Sequence, residues 1–227
     1  MGSNIEIVLI ALVAVFLVLR LRAVLGKRTG GEQPPAQDPF APPVPAAKPT
    51  DSRPVDGPAA ARVDPARPMA PPAKIATAAA EAVEKIAAAD RSFEPRGFAT
   101  GARAAFEMIV GAFAKPDLAV LKPLLDEATY RSFETAVRDR QAARHVLETS
   151  LVGFISSDIV DAKMDDSRAF VTVRFVTEQI NVTRGADGLV VDGNPNAVET
   201  VRDVWTFARD TRSGDPNWLL VKTDSEA

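Results

Sequence analysis

The spacing of apolar residues changes three times along the chain, and each change marks a boundary. From Ile7 to Leu19 the residues are apolar without a break. Thirteen residues rise about 20 Å as a helix, short of the ~30 Å hydrocarbon core of a bilayer. Extending the run to residues 5–25 makes it long enough to span, with Glu6 at one interface and Arg20 and Arg22 snorkelling towards the other. The expected anchor is therefore 5–25, with Ile7, Val8, Leu9, Ile10, Leu12, Val13, Val15, Phe16, Leu17, Val18 and Leu19 facing lipid. A cleaved signal peptide is the rival reading, but no basic residue precedes the run, and arginines stand where a small-residue cleavage site is wanted.

Residues 26–73 show no periodicity. They hold 13 of the chain's 18 prolines and almost no large apolar side chain. Such a stretch cannot bury enough surface to offset its ordering entropy, which predicts a disordered tether with local polyproline II character. Its reach would be about 150 Å fully extended and roughly 40 Å as a coil. A proline-motif ligand for an aromatic groove is the competing reading.

Helical spacing begins at residue 74. "AKIATAAAEAVEKIAAADRSF" (73–93) predicts a helix, with Ile75, Ala79, Val83 and Ile86 on one stripe. As the separate unit 74–91 it could dock on the rest, pair with a partner or lie on a membrane. A second helix follows Pro95, with Phe98, Ala102, Ala105, Phe106, Ile109, Val110 and Phe113 inward. Asp117 is positioned to cap "LAVLKPLL", with Leu118, Leu121, Leu124 and Leu125 inward. Residues 127–148 predict a further helix, with Tyr130, Phe133 and Val137 inward and an apolar edge near Val146.

From Ser150 the period becomes two. "LVGFISSDIVDAKMDD" is β-branched and ends in a turn at Asp165-Asp166-Ser167. In "RAFVTVRFVTEQINV", Val171, Val173 and Phe175 share one face, with Thr172 and Arg174 on the other. "AVETVRDVWTFARD" and "NWLLVKT" bring the expected strands to at least four. Helices first and strands afterwards predict an α+β domain over 92–225, its helices on an antiparallel sheet.

The last strand pair is the densest polar stretch. In "RDVWTFARDTRSGDPNWLL", Asp203, Trp205 and Phe207 share a face, and "TRSGDPN" predicts a reversal. Trp205 and Trp218 are expected near the hairpin's open ends, clamping sheet to helices. Arg209, Asp210 and Asp215 are expected to form an exposed ion pair at the tip, beside Pro216 and Asn217.

Charge and composition then remove alternatives. Residues 74–227 carry 19 Lys and Arg against 24 Asp and Glu. An acidic balance argues against nucleic acid as a partner, because phosphate binding needs a basic footprint. The chain has no cysteine, which removes disulfides and thiol chemistry. Its single histidine, His145, falls late in the 127–148 helix, and its single tyrosine, Tyr130, on an apolar stripe. Asp158, Asp161, Asp165 and Asp166 do not match a calcium-loop spacing. No enzyme activity, metal or cofactor is expected. Arg20, Arg22, Lys27 and Arg28 all follow the apolar run, so the C-terminal domain is expected in the cytoplasm and the N-terminus outside.

"VWTFARDTRSGDPNWLLVKT" resembles the closing hairpin of the Tim44-like domain family, which includes the matrix-side tether of the mitochondrial inner-membrane import motor. "FATGARAAFEMIVGAFAKPDLAVLKPLL" resembles the family's first helices, and "VTVRFVTEQ" its central strand. The hairpin residues carrying the likeness are Trp205, Phe207, Arg209, Asp210, Asp215, Pro216, Asn217 and Trp218, and the likeness covers about 93–224. An anchor, a Pro/Ala-rich linker and such a domain look like the bacterial, alphaproteobacterial-type members. The resemblance implies a cystatin/nuclear-transport-factor-like cone enclosing an apolar pocket. It implies a membrane-anchored adaptor at the inner membrane whose partner is a chaperone, translocon or membrane-assembly machinery. The alternative it leaves is a lipid or small apolar ligand held in the cone.

Overall fold

The computed structural model describes residues 71–226. The expected anchor at 5–25 and nearly all of the expected linker at 26–73 lie outside the described residues. Among these, no helix is long and apolar enough to cross a membrane.

Among the described residues four helices precede five strands: α1 Thr77–Ala89, α2 Pro95–Ala114, α3 Leu118–Leu121, α4 Glu127–Ala142, β1 Val146–Asp165, β2 Arg168–Arg184, β3 Val190–Gly193, β4 Glu199–Asp210 and β5 Leu219–Glu226. The result is an α+β domain with helices packed on a five-stranded antiparallel sheet.

Helix α1 starts later than the periodicity predicts. Ile75 belongs to an extended segment that forms a parallel bridge with Ile159, and its side chain is 42% exposed. The edge of β1 supplies backbone partners that another turn of Ala-rich helix does not offset. Ala79, Val83 and Ile86 are buried, so α1 docks on the sheet. The helix stops at Asp90, whose carboxylate accepts hydrogen bonds from the Ser92 amide (2.9 Å) and hydroxyl (2.6 Å). That local turn competes with further helix.

Helix α2 begins where the Glu94 carboxylate accepts the Arg96 and Gly97 amides ahead of Pro95. Phe98, Ala102, Phe106 and Ile109 form its buried face. Asp117 caps α3 by accepting the Val120 amide at 3.2 Å, as its position predicts. Asp126 does the same for α4 through Thr129 at 2.9 Å. Arg140, from α4, donates to the carbonyls of Phe113 and Ala114 at the end of α2 and lies 4.6 Å over the Phe113 ring. One guanidinium thus satisfies orphan carbonyls of another helix and packs on its last aromatic.

The 127–148 helix ends at Ala142 and not near Glu148. Arg144 turns the chain in the left-handed region (φ 55°), the His145 amide donates to the Arg140 carbonyl at 3.0 Å, and Val146 opens β1. The reason is the length of β2, whose far end pairs with Val146, Leu147 and Glu148.

The strand order is β1-β2-β4-β5, and β3 pairs with the end of β2 beyond the reach of β4. β1 carries register shifts at Leu151/Gly153, Phe154/Ser156 and Ile159/Asp161. Each bulge bends the strand and adds twist, so the twenty-residue β1 curves over the helices. Ile159, Val171, Val173, Phe175, Trp205, Phe207 and Leu220 line the inner face. The outer edge of β5 is closed by a parallel bridge: the Leu220 amide donates to the Leu124 carbonyl (2.9 Å), and the Asp126 amide to the Leu220 carbonyl (3.0 Å).

Candidate functional site: the closing hairpin

β4 presents Trp205 and Phe207 to the core and carries Arg209 beyond them. Trp205 is 5% exposed, with its ring centroid 4.5 Å from Phe106 and 5.9 Å from Phe175. Phe207 meets the edge of Phe98 at 6.0 Å. Trp218 precedes β5 at the closed end of the hairpin, not the open end, and lies 4.9 Å from Phe98 and 5.6 Å from Phe93. Both tryptophans therefore join sheet to helices, at different depths.

The tip ion pair takes a different form from the expected one. The Arg209 side chain is only 9% exposed and pairs with Asp90 of the α1 end at 2.6 Å, with a further bond to the Ser92 hydroxyl at 3.1 Å. Its Nε donates to the backbone carbonyl of Asp215 at 3.0 Å. Burial raises the Asp90 pKa, but the two Ser92 hydrogen bonds and the Arg209 charge outweigh it and hold the carboxyl below the ordinary aspartate value. Asp90 and Ser92 escaped sequence reasoning as partners. "ADRSF" announces the turn, but nothing local announces an arginine 119 residues away.

The remaining tip residues bond one another. The Asp210 carboxylate accepts the Arg212 amide at 3.0 Å, chiefly for which its pKa is lowered, and pairs with the Arg212 guanidinium at 3.5 Å. The Asp215 carboxylate accepts the Asn217 amide at 2.9 Å, across Pro216. Thr211 donates through its amide (2.8 Å) and hydroxyl (2.9 Å) to the Ser167 carbonyl, tying this turn to the β1–β2 turn. A cleft of about 170 Å³ remains, lined by Arg168, Arg209, Asp210, Ser213, Asp215 and Asn217 among others. Of its charged groups, Arg209, Asp210 and Asp215 make bonds within the reversal, while Arg168 lies 5.1 Å over the Phe170 ring.

Elsewhere, Asp158 accepts the Lys74 amide at 3.0 Å, Asp165 pairs with Lys163 at 3.2 Å, and Asp166 makes the left-handed step of its turn (φ 51°). Among the described residues no three His, Asp or Glu side chains are grouped to hold a metal.

A second feature lies on the inner face of β2. Beyond Phe175 the buried register continues with polar residues. Asn181 Nδ2 donates to Gln179 Oε1 at 3.1 Å, and Gln179 Nε2 to Thr177 Oγ1 at 2.8 Å. All three are buried. In "VTEQINV" the alternation runs on, but the inward positions are now Thr177, Gln179 and Asn181, while the apolar Val176 and Ile180 fall on the other face. The space over the sheet centre is filled by Phe106, which contacts Phe154, Phe175 and Trp205.

These observations define a class: a helix-on-sheet domain whose closing hairpin is locked to its first helix by a buried ion pair. Residues 79–225 match the Tim44-like domain family model, and the chain belongs to that family. It is 29% identical over 117 residues to a probable mitochondrial import inner membrane translocase subunit, tin-44, of Caenorhabditis elegans. It is 25% identical over 115 residues to the mouse (Mus musculus) mitochondrial import inner membrane translocase subunit TIM44. Each match covers 50% of this chain, but only 28% and 25% of those proteins. An uncharacterised protein of Rickettsia prowazekii is 24% identical over 146 residues, 63% of this chain and 58% of that one. The intermembrane space region of the chloroplast protein ARC6 superposes with a TM-score of 0.43 at 14% identity, covering 57% of this chain and 96% of that one.

Proposed function

We propose that the protein is a membrane-anchored adaptor of a bacterial inner membrane, with its C-terminal domain in the cytoplasm, binding protein partners of translocation or membrane-protein assembly. The observation that carries this reading is the family match over residues 79–225, whose relatives include import translocase subunits. The apolar run Ile7–Leu19 and the basic residues after it supply the anchor and its orientation. We read the curved sheet and its helices as the cystatin/nuclear-transport-factor-like cone, used as a scaffold for protein contacts. A lipid or apolar ligand in the cone draws less from the geometry. Aromatic side chains fill the sheet centre, and the face continues as hydrogen-bonded Thr177, Gln179 and Asn181.

The test is crosslinking in cells of the full-length protein, with mass spectrometry of the attached species and a chain lacking residues 1–25 as control. Recovery of translocation or assembly components by the full chain, and their loss from the truncation, is the expected result. Recovery of lipid alone, or full activity from the truncation, would overturn the proposal.

A further inference from the structure

The chain enters the domain along the outer edge of β1, and this entry is clamped by backbone and side chain. The Ile159 amide donates to the Lys74 carbonyl and the Ala76 amide to the Ile159 carbonyl, both at 2.8 Å. The Lys74 amide donates to Asp158 Oδ1 at 3.0 Å. From α2, Arg103 donates through Nε to Ser157 Oγ and through Nη2 to the Pro71 carbonyl. These bonds fall on Ser157–Ile159, between the second and third register shifts of β1. A bulge breaks the run of in-plane backbone groups that strand pairing needs. The entering segment thus occupies a regular stretch of an otherwise irregular edge.

We infer that Pro71–Ala76 is a releasable strap that closes a strand-addition site on β1. None of its residues is buried or belongs to the core. It is held by backbone bonds and by Arg103 and Asp158, not by packing. A pull on the chain before Pro71 reaches these bonds before it reaches Ala79, Val83 and Ile86 of α1. Release leaves the Ile159 amide and carbonyl without their strap partners, beside Ser157 and Asp158. That is the chemistry by which an extended segment adds to a sheet edge. The existing bridge shows which sequence the site accepts, so the replacing segment is the same strap from a second copy.

The test is amide hydrogen exchange on the full chain carrying Lys74→Pro. This variant lacks the one strap donor to Asp158 and leaves α2 and β1 unchanged. Ile159 should exchange at least about tenfold faster than in the unsubstituted chain, with Val173 in β2 unchanged. Adding a synthetic peptide of residues 70–78 should slow Ile159 again. Arg103→Gln is the second variant and should also speed Ile159 selectively. Exchange of Ile159 that stays at its original rate in both variants, or that the peptide does not slow, would overturn the inference.

Discussion

Arg209 Nη1 meets Asp90 Oδ2 at 2.6 Å, and the two side chains are 9% and 7% exposed. The pair fastens the closing hairpin to the C-terminal end of α1. Removing either member leaves a buried charge without its partner, so Asp90→Ala should cost about 3–5 kcal/mol in denaturant unfolding. Replacing both, as Asp90→Leu with Arg209→Met, should recover most of that loss. A double variant as unstable as the single would show that the loss comes from the missing bonds of the pair and not from a stranded charge.

The same carboxylate sets an acid limit. Its folded pKa lies below its unfolded value of about 3.9, so its stabilisation is fully present above that value and is lost as pH falls through the lower, folded one. Urea unfolding between about pH 2 and pH 5 should show the unsubstituted domain losing stability more steeply than Asp90→Asn. Parallel curves would remove Asp90 as a source of acid sensitivity.

Trp205 tests whether the hairpin is scaffold. Trp205→Ala should cost roughly 3–5 kcal/mol, because the ring fills space between Phe106 and Phe175. Trp205→Phe should cost less. Loss of partner binding by Trp205→Ala at an unchanged melting temperature would instead make Trp205 part of a binding site.

Two glycines should respond in opposite directions. Gly193 has φ +83°, and an added Cβ would sit 2.0 Å from the Asn181 carbonyl oxygen. Gly193→Ala should cost at least about 1–3 kcal/mol from backbone strain, before the clash is counted. Gly101 lies inside α2, and an added Cβ meets nothing within 4 Å. Gly101→Ala should stabilise the domain by about 1 kcal/mol. Thermal melting of the two variants decides both.

The sequence revealed α2, the cap at Asp117 and the alternation of β2, because each of these signals lies within a few neighbouring residues. Periodicity misplaced both ends of α1 and the end of α4. Ile75 and Val146 are apolar and fit a helical stripe, but sheet partners far along the chain claim their backbones. β3 was invisible because four residues between glycine-containing turns show no period of their own. The hairpin's polar residues were legible as a turn. Its buried salt bridge was not, because Arg209 looks the same in sequence whether it reaches solvent or Asp90.

The two tryptophans also make the domain optically self-reporting. Trp205 sits in a buried aromatic cluster in mid-sheet, while Trp218 is half-buried against Phe93 and Phe98 where α1 hands over to α2. Their emission maxima should differ. A chain reduced to one indole would then follow the sheet centre when Trp218→Phe leaves Trp205, and the helix junction when Trp205→Phe leaves Trp218. With no cysteine in the sequence, a single introduced thiol could carry an acceptor dye to either one.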